Sequence, residues 1–173
     1  MYQRANLSVL ILIIAFFTAF GACEITAGKI IYVDEIAAGA NDGLSWDDAY
    51  NFLQDALADA NEADKPVEIR LAQGGYSPDK DTLNPEGTAD RKATFQLING
   101  VTLKGGYAGL TEPDPNARHV DMYKTILNGD LAGNDMSNFT NNSENSYHVV
   151  TGSGTDPMAI IDGFTVTGGN ANG

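Results

Sequence analysis

His119 and His148 are the only side chains in the sequence whose ordinary titration falls near neutrality. His119 follows Arg118 in a stretch entered through Pro113 and Pro115, and His148 follows Tyr147 at the head of an apolar run. Either could accept a proton, but neither stands in a Ser-His-Asp pattern or another catalytic signature. Carboxylates are more numerous. Asp130, Asn134 and Asp135 lie close together, as do Asp34, Asn41 and Asp42. A calcium ion takes roughly six to eight oxygens of this kind. Neither set has EF-hand spacing, so Asp130, Asn134 and Asp135 stand as weak calcium candidates. Four aromatics, Trp46, Tyr76, Tyr107 and Tyr147, could stack on sugar rings. Each also has a core or corner reading, and Trp46 in particular could anchor a helix start. Lys104-Gly105-Gly106 lacks the preceding glycine of a phosphate-binding loop.

Composition removes several classes. The 173 residues include 23 Asp and Glu against 10 Lys and Arg, for a net charge of -13. So acidic a chain is no nucleic-acid binder, because phosphate contacts need cations. A single cysteine excludes an internal disulfide framework and a cysteine-based zinc site. Hydrophobic content of 43% suffices for a core.

The first segment reads as an export signal. Arg4 precedes a nearly unbroken apolar stretch over residues 7–20, and Gly21-Ala22-Cys23 follows. A basic start, a short apolar run and small residues at the cut define a secretory signal peptide over residues 1–22. The run is short for a bilayer span, which needs about 20 residues. The position of Cys23 resembles the lipobox of bacterial lipoproteins, where the thiol is acylated. Phe20 and Gly21 depart from that pattern, so lipidation at Cys23 and plain cleavage after Ala22 both stay open. The chain is expected to be exported, to the extracellular space, outer membrane or cell surface. It would meet a membrane only through the signal peptide or a lipid anchor.

Elements that could position the chemistry come next. KIIYV at 29–33 is a β-branched strand. Ser45 followed by Asp48 has capping-box spacing, and Trp46, Ala49, Leu53, Ala56, Leu57 and Ala60 recur at helical intervals. This spacing predicts one amphipathic helix from Trp46 to before Pro66. Val67, Ile69 and Leu71 alternate with polar residues as a half-buried strand, and Phe95 and Leu97 do the same. A pattern of apolar residues, one polar residue and glycine then recurs. It reads VTLKG at 101–105, TILNG at 125–129, HVVTG at 148–152, AIIDG at 159–163 and FTVTG at 164–168. The first three copies are spaced by about 24 residues, a period that signals a solenoid of stacked units. Short strands closed by glycine suggest corners. The loops over 77–94, 110–124 and 131–146 are where binding residues would sit.

The segments YVDEIAAGANDGLSWDDAYNFLQDALADA, VEIRLAQGGYSPD, ATFQLINGVTLKGGYAG, TILNGD, NSYHVVTGSGTD and AIIDGFTVTGGNA resemble secreted bacterial right-handed parallel β-helix proteins of the pectin-lyase-like superfamily. That group is often described as polymorphic outer-membrane or pectate-lyase-like, and the resemblance covers residues 30–173. It implies an all-β solenoid, a right-handed parallel β-helix with an N-terminal amphipathic capping α-helix. Residues 23–66 would hold the strand and capping helix, and residues 67–173 the first coils of a truncated β-helix. The expected function is an exported, surface-associated module with a structural or glycan-binding role and no catalytic centre of its own. Its partner would be a polysaccharide or cell-surface glycan, and the chain a monomer. Two alternatives remain: the N-terminal part of a polysaccharide lyase or glycoside hydrolase, and an adhesin or autotransporter-type passenger.

Overall fold

The computed structural model describes residues 28–172; the expected signal peptide and Cys23 lie outside them. The described residues form nine short strands and one α-helix. These are β1 (Lys29–Val33), α1 (Leu53–Glu62), β2 (Val67–Ala72), β3 (Gly74–Tyr76), β4 (Phe95–Gln96), β5 (Val101–Tyr107), β6 (Thr125–Asn128), β7 (Val150–Thr151), β8 (Ile160–Asp162) and β9 (Thr165–Thr167).

All strand pairs are parallel, and they make three sheets ordered β1-β2-β5-β8, β3-β6-β9 and β4-β7. From β2 onward the chain visits these sheets in a fixed rotation: first, second, third, then first again. Register aligns like with like. Ile31, Ile69, Leu103 and Ile161 form one column of the first sheet, and Leu127 faces Val166 in the second. The inward residues of all three sheets meet in one core, where Leu103, Leu127, Phe95 and Val149 are buried together. Period-2 alternation explains this in β1, β2, β5 and β6, whose alternate residues are buried, whereas every residue of β8 and β9 is exposed.

The rotation revises how the glycine-closed repeat is read. Successive copies are not neighbours. VTLKG lies in β5, TILNG in β6 and HVVTG at β7, each in a different sheet. VTLKG pairs instead with AIIDG, and TILNG with FTVTG. Their glycines face each other too. A Cβ on Gly105 would come within 2.6 Å of the Gly163 carbonyl, and one on Gly129 within 2.6 Å of the Gly168 carbonyl. Gly105 and Gly129 are therefore demanded by close backbone approach. Left-handed backbone is needed at their partners Gly163 (φ +85°) and Gly168 (φ +71°).

The helix also differs from expectation. Ser45 makes the predicted capping bonds, its Oγ accepting the Asp48 N–H at 3.1 Å, but they close a turn. Tyr50 is then drawn beside β1, its N–H donating to the Tyr32 carbonyl (3.0 Å) and its carbonyl accepting the Asp34 N–H (2.9 Å). This extended pairing uses the backbone groups that a helix through Tyr50 would need. Helix α1 starts only at Leu53, after an extended Phe52. Its Leu53, Ala56, Leu57 and Ala60 are buried against the common core. Lys29 anchors it to β1 through Asp59 at 2.6 Å, and Lys65 donates to the Ala60 and Ala63 carbonyls at its C-terminal end.

Candidate functional site

Three of the four candidate sugar-contacting aromatics are used in packing. Trp46 lies outside the helix and is buried with its ring centroid 4.9 Å from Tyr32 and 5.7 Å from Tyr107. Its indole N–H donates to Asn116 Oδ1 at 3.1 Å. Tyr107 is buried beside it, with the Arg70 and Arg118 guanidinium groups each 5.6 Å from its ring. Tyr76 is only 3% exposed and donates its hydroxyl to the Ala72 carbonyl. Burial, reinforced by the charges of Asp34 and Glu35, holds the Tyr76 phenol well above its ordinary pKa, so it stays a neutral donor.

Tyr147 is different. It is half-buried, and the Arg91 guanidinium lies 4.2 Å from its ring centroid. Arg91 is itself fixed, its Nε donating to the Asn145 carbonyl at 2.7 Å and its Nη2 to Asn172 Oδ1 at 2.8 Å. Beside this pair runs a groove of about 490 Å3 lined by Lys92, Thr94, Tyr147, His148, Thr151 and Ala171. Strands β4 and β7 position it. Lys92 and Thr94 lead into β4, Tyr147 and His148 lead into β7, and the two strands pair with Phe95 opposite Val150. The Tyr147 N–H donates to the Arg91 carbonyl at 2.8 Å, which holds the two approaches together. The groove thus offers an aromatic ring, hydroxyls, an imidazole and an ammonium group, and no carboxylate lines it. Arg91 and Lys92 carried no signal in the sequence, because nothing in a loop pattern reveals which residues will flank a two-residue strand.

The other candidates fall elsewhere. His119 accepts the Met122 N–H on Nδ1, while Arg118 pairs with Asp162 at 2.7 Å. Asp34, Asn41 and Asp42 are committed to backbone: Asp34 accepts the Leu110 N–H, Asn41 the Asn51 N–H and Asp42 the Leu44 N–H. A smaller cavity of about 180 Å3 includes Glu35 and Lys80 in its lining. Burial raises the Glu35 pKa, the Asp34 charge adds to this, and the Gly75 N–H opposes it.

No protein-family model matches the chain, and no curated protein or solved structure does so either.

The acidic loop after β6 is only partly as expected. Asp130 and Asp135 come together, and Glu144 joins them, with one carboxylate oxygen from each lying within 4.8 Å of the others. Asn134 contributes through its backbone, its N–H donating to Asp130 Oδ1 at 3.1 Å. The Asp135 N–H donates to Asp130 Oδ2 at 3.0 Å. Glu144 and the neighbouring Asn145 were not singled out from sequence, since they enter from the far end of the loop. Among the described residues no helix is long and apolar enough to cross a membrane.

Proposed function

We propose that this chain is an exported, surface-associated module built as a right-handed parallel β-helix of the pectin-lyase-like kind. Its role is to present a glycan-binding groove, and it carries no catalytic centre of its own. The fold reading is supported by the fixed rotation of the chain through three parallel sheets around one core. A chain that returns to each sheet in turn, always parallel, winds as a coil, and parallel crossovers are right-handed in about 98% of cases. The binding reading rests on one observation: the Tyr147 ring, braced by Arg91, lines the groove between the approaches to β4 and β7. An aromatic face accepts the C–H face of a sugar, and the Thr94, Thr151 and His148 polar groups can hydrogen-bond its hydroxyls. The Lys92 ammonium favours an anionic sugar, which the overall acidity of the chain would otherwise repel. Hydrolysis of a glycoside needs a pair of carboxylates, and none lines the groove.

The test is affinity electrophoresis of the purified chain through polygalacturonate and through a neutral glucan. The proposal predicts retardation by the uronate that Tyr147→Ala abolishes and Lys92→Ala weakens, with Tyr123→Ala unchanged. Equal mobility in both gels would overturn glycan binding. Release of an unsaturated, ultraviolet-absorbing product from the uronate would place catalysis in this chain and overturn the non-catalytic reading.

A further inference from the structure

Glu144 Oε1 and Asn145 Oδ1 are the buried side-chain polar atoms among the described residues that lack any hydrogen-bond partner. They are adjacent in sequence, and Glu144 belongs to the Asp130, Asp135 and Glu144 triad. Asn145 is only 1% exposed. Its amide lies against the triad, because Nδ2 donates to Asp135 Oδ2 at 2.8 Å. Asn145 and Asp135 also line the same cavity of about 280 Å3. An orphaned buried acceptor costs about 1–3 kcal/mol, and more when it carries charge. Three clustered carboxylates add mutual repulsion. A cation held by the carboxylates relieves their repulsion, and turning the Asn145 amide so that Oδ1 rather than Nδ2 faces Asp135 gives the orphaned oxygen a partner as well.

We propose that Asp130, Asp135, Glu144 and Asn145 form a divalent-cation site that takes calcium. Every donor is oxygen, which excludes a preference for zinc or copper. The ligands come from an irregular loop, and calcium tolerates irregular geometry where magnesium demands a near-ideal octahedron. The cavity leaves room for water to complete the shell. The cation joins Asp130, just beyond β6, to Glu144 and Asn145, shortly before β7, and so closes the intervening loop. That loop carries Phe139, which is 88% exposed. The Asn145 side chain lies against the carboxylates while its carbonyl holds Arg91 behind Tyr147. The four proposed ligands do not line the groove, and cation binding is measured without glycan.

The experiment uses the purified chain stripped with chelator and dialysed, with calcium chloride or magnesium chloride as the probe. Calorimetry is expected to show one saturable calcium site with Kd of about 10⁻⁴–10⁻³ M, the range of extracellular modules. Magnesium should bind at least tenfold more weakly. Calcium should raise the melting temperature and slow chymotrypsin cleavage after Phe139. Glu144→Gln should lower calcium affinity at least tenfold, and Asp135→Asn should do so independently. Asp121→Asn, an exposed carboxylate on another loop, should leave it unchanged. No heat and no melting shift up to about 10 mM calcium would overturn the site, that being well above the expected range. Equal weakening by Asp121→Asn would also overturn it, because the attraction would then be that of a diffuse acidic surface.

Discussion

Glu68 shows how single side chains hold the outer face of the first sheet. It bonds Arg70 at 2.7 Å within β2 and Lys104 at 2.5 Å on the neighbouring β5. Burial alone would raise its pKa, but the hydrogen bonds from Lys104 and Arg70 outweigh that and hold it below the ordinary glutamate value. A carboxylate with a lowered folded pKa stabilises the fold above its unfolded pKa, and that stabilisation is lost as pH falls through the folded value. Glu68→Gln is therefore expected to cost about 1 kcal/mol at pH 7. In paired melts the gap between the two proteins should narrow below about pH 4. A gap that stays constant down to pH 3 would contradict the assignment. Glycines make a second contrast. Gly105→Ala should destabilise markedly, because its Cβ would meet the Gly163 carbonyl at 2.6 Å. Gly75→Ala meets nothing within 4 Å and should be neutral or stabilising by up to about 1 kcal/mol. Urea unfolding of the two variants separates these outcomes.

At the scale of elements, the strands were legible and their neighbours were not. Alternation in VEIRLA and VTLKG marked β2 and β5 directly, since one face of each is buried. The same glycine-closed pattern suggested that VTLKG stacks on TILNG. Pairing is decided by which segments return to the same sheet, and a local motif carries no such information. The helix was legible where its small apolar residues recur, at Leu53, Ala56, Leu57 and Ala60. Its start was misplaced because the backbone of Tyr50 pairs with β1, a long-range event invisible to helical spacing. The candidate sites split on the same line. Asp130 and Asp135 were legible as a short-range pair, whereas Glu144, Asn145 and Arg91 reach their places through the fold. Inward and outward positions of one strand supply the test at this scale. Leu103→Ala removes a buried side chain of the common core and should cost about 2–5 kcal/mol. Thr102→Ala, on the opposite face of β5, should cost less than about 0.5 kcal/mol. Similar losses for both would contradict the buried column through Ile31, Ile69 and Leu103.

For the whole molecule, the account depends on the chain, from β2 onward, returning to each sheet only after passing through the other two. One core then serves three sheets, and loops between sheets are free to vary in length and carry the Tyr147 groove and the acidic cluster. Cysteine cross-linking distinguishes this path from the simpler winding that the spacing of about 24 residues suggests. In a Cys23→Ser background, Thr102→Cys is combined with Ile160→Cys, its partner across β5 and β8. A second protein combines Thr102→Cys with Ile126→Cys, the corresponding position of the next motif copy. Adjacent strands lie about 4.8 Å apart, within reach of a disulfide, whereas residues in different sheets are not hydrogen-bonded neighbours. Under mild oxidation the account predicts an internal disulfide in the 102/160 protein and none in the 102/126 protein, read by mobility on a non-reducing gel. A disulfide in the 102/126 protein with none in the 102/160 protein would contradict it.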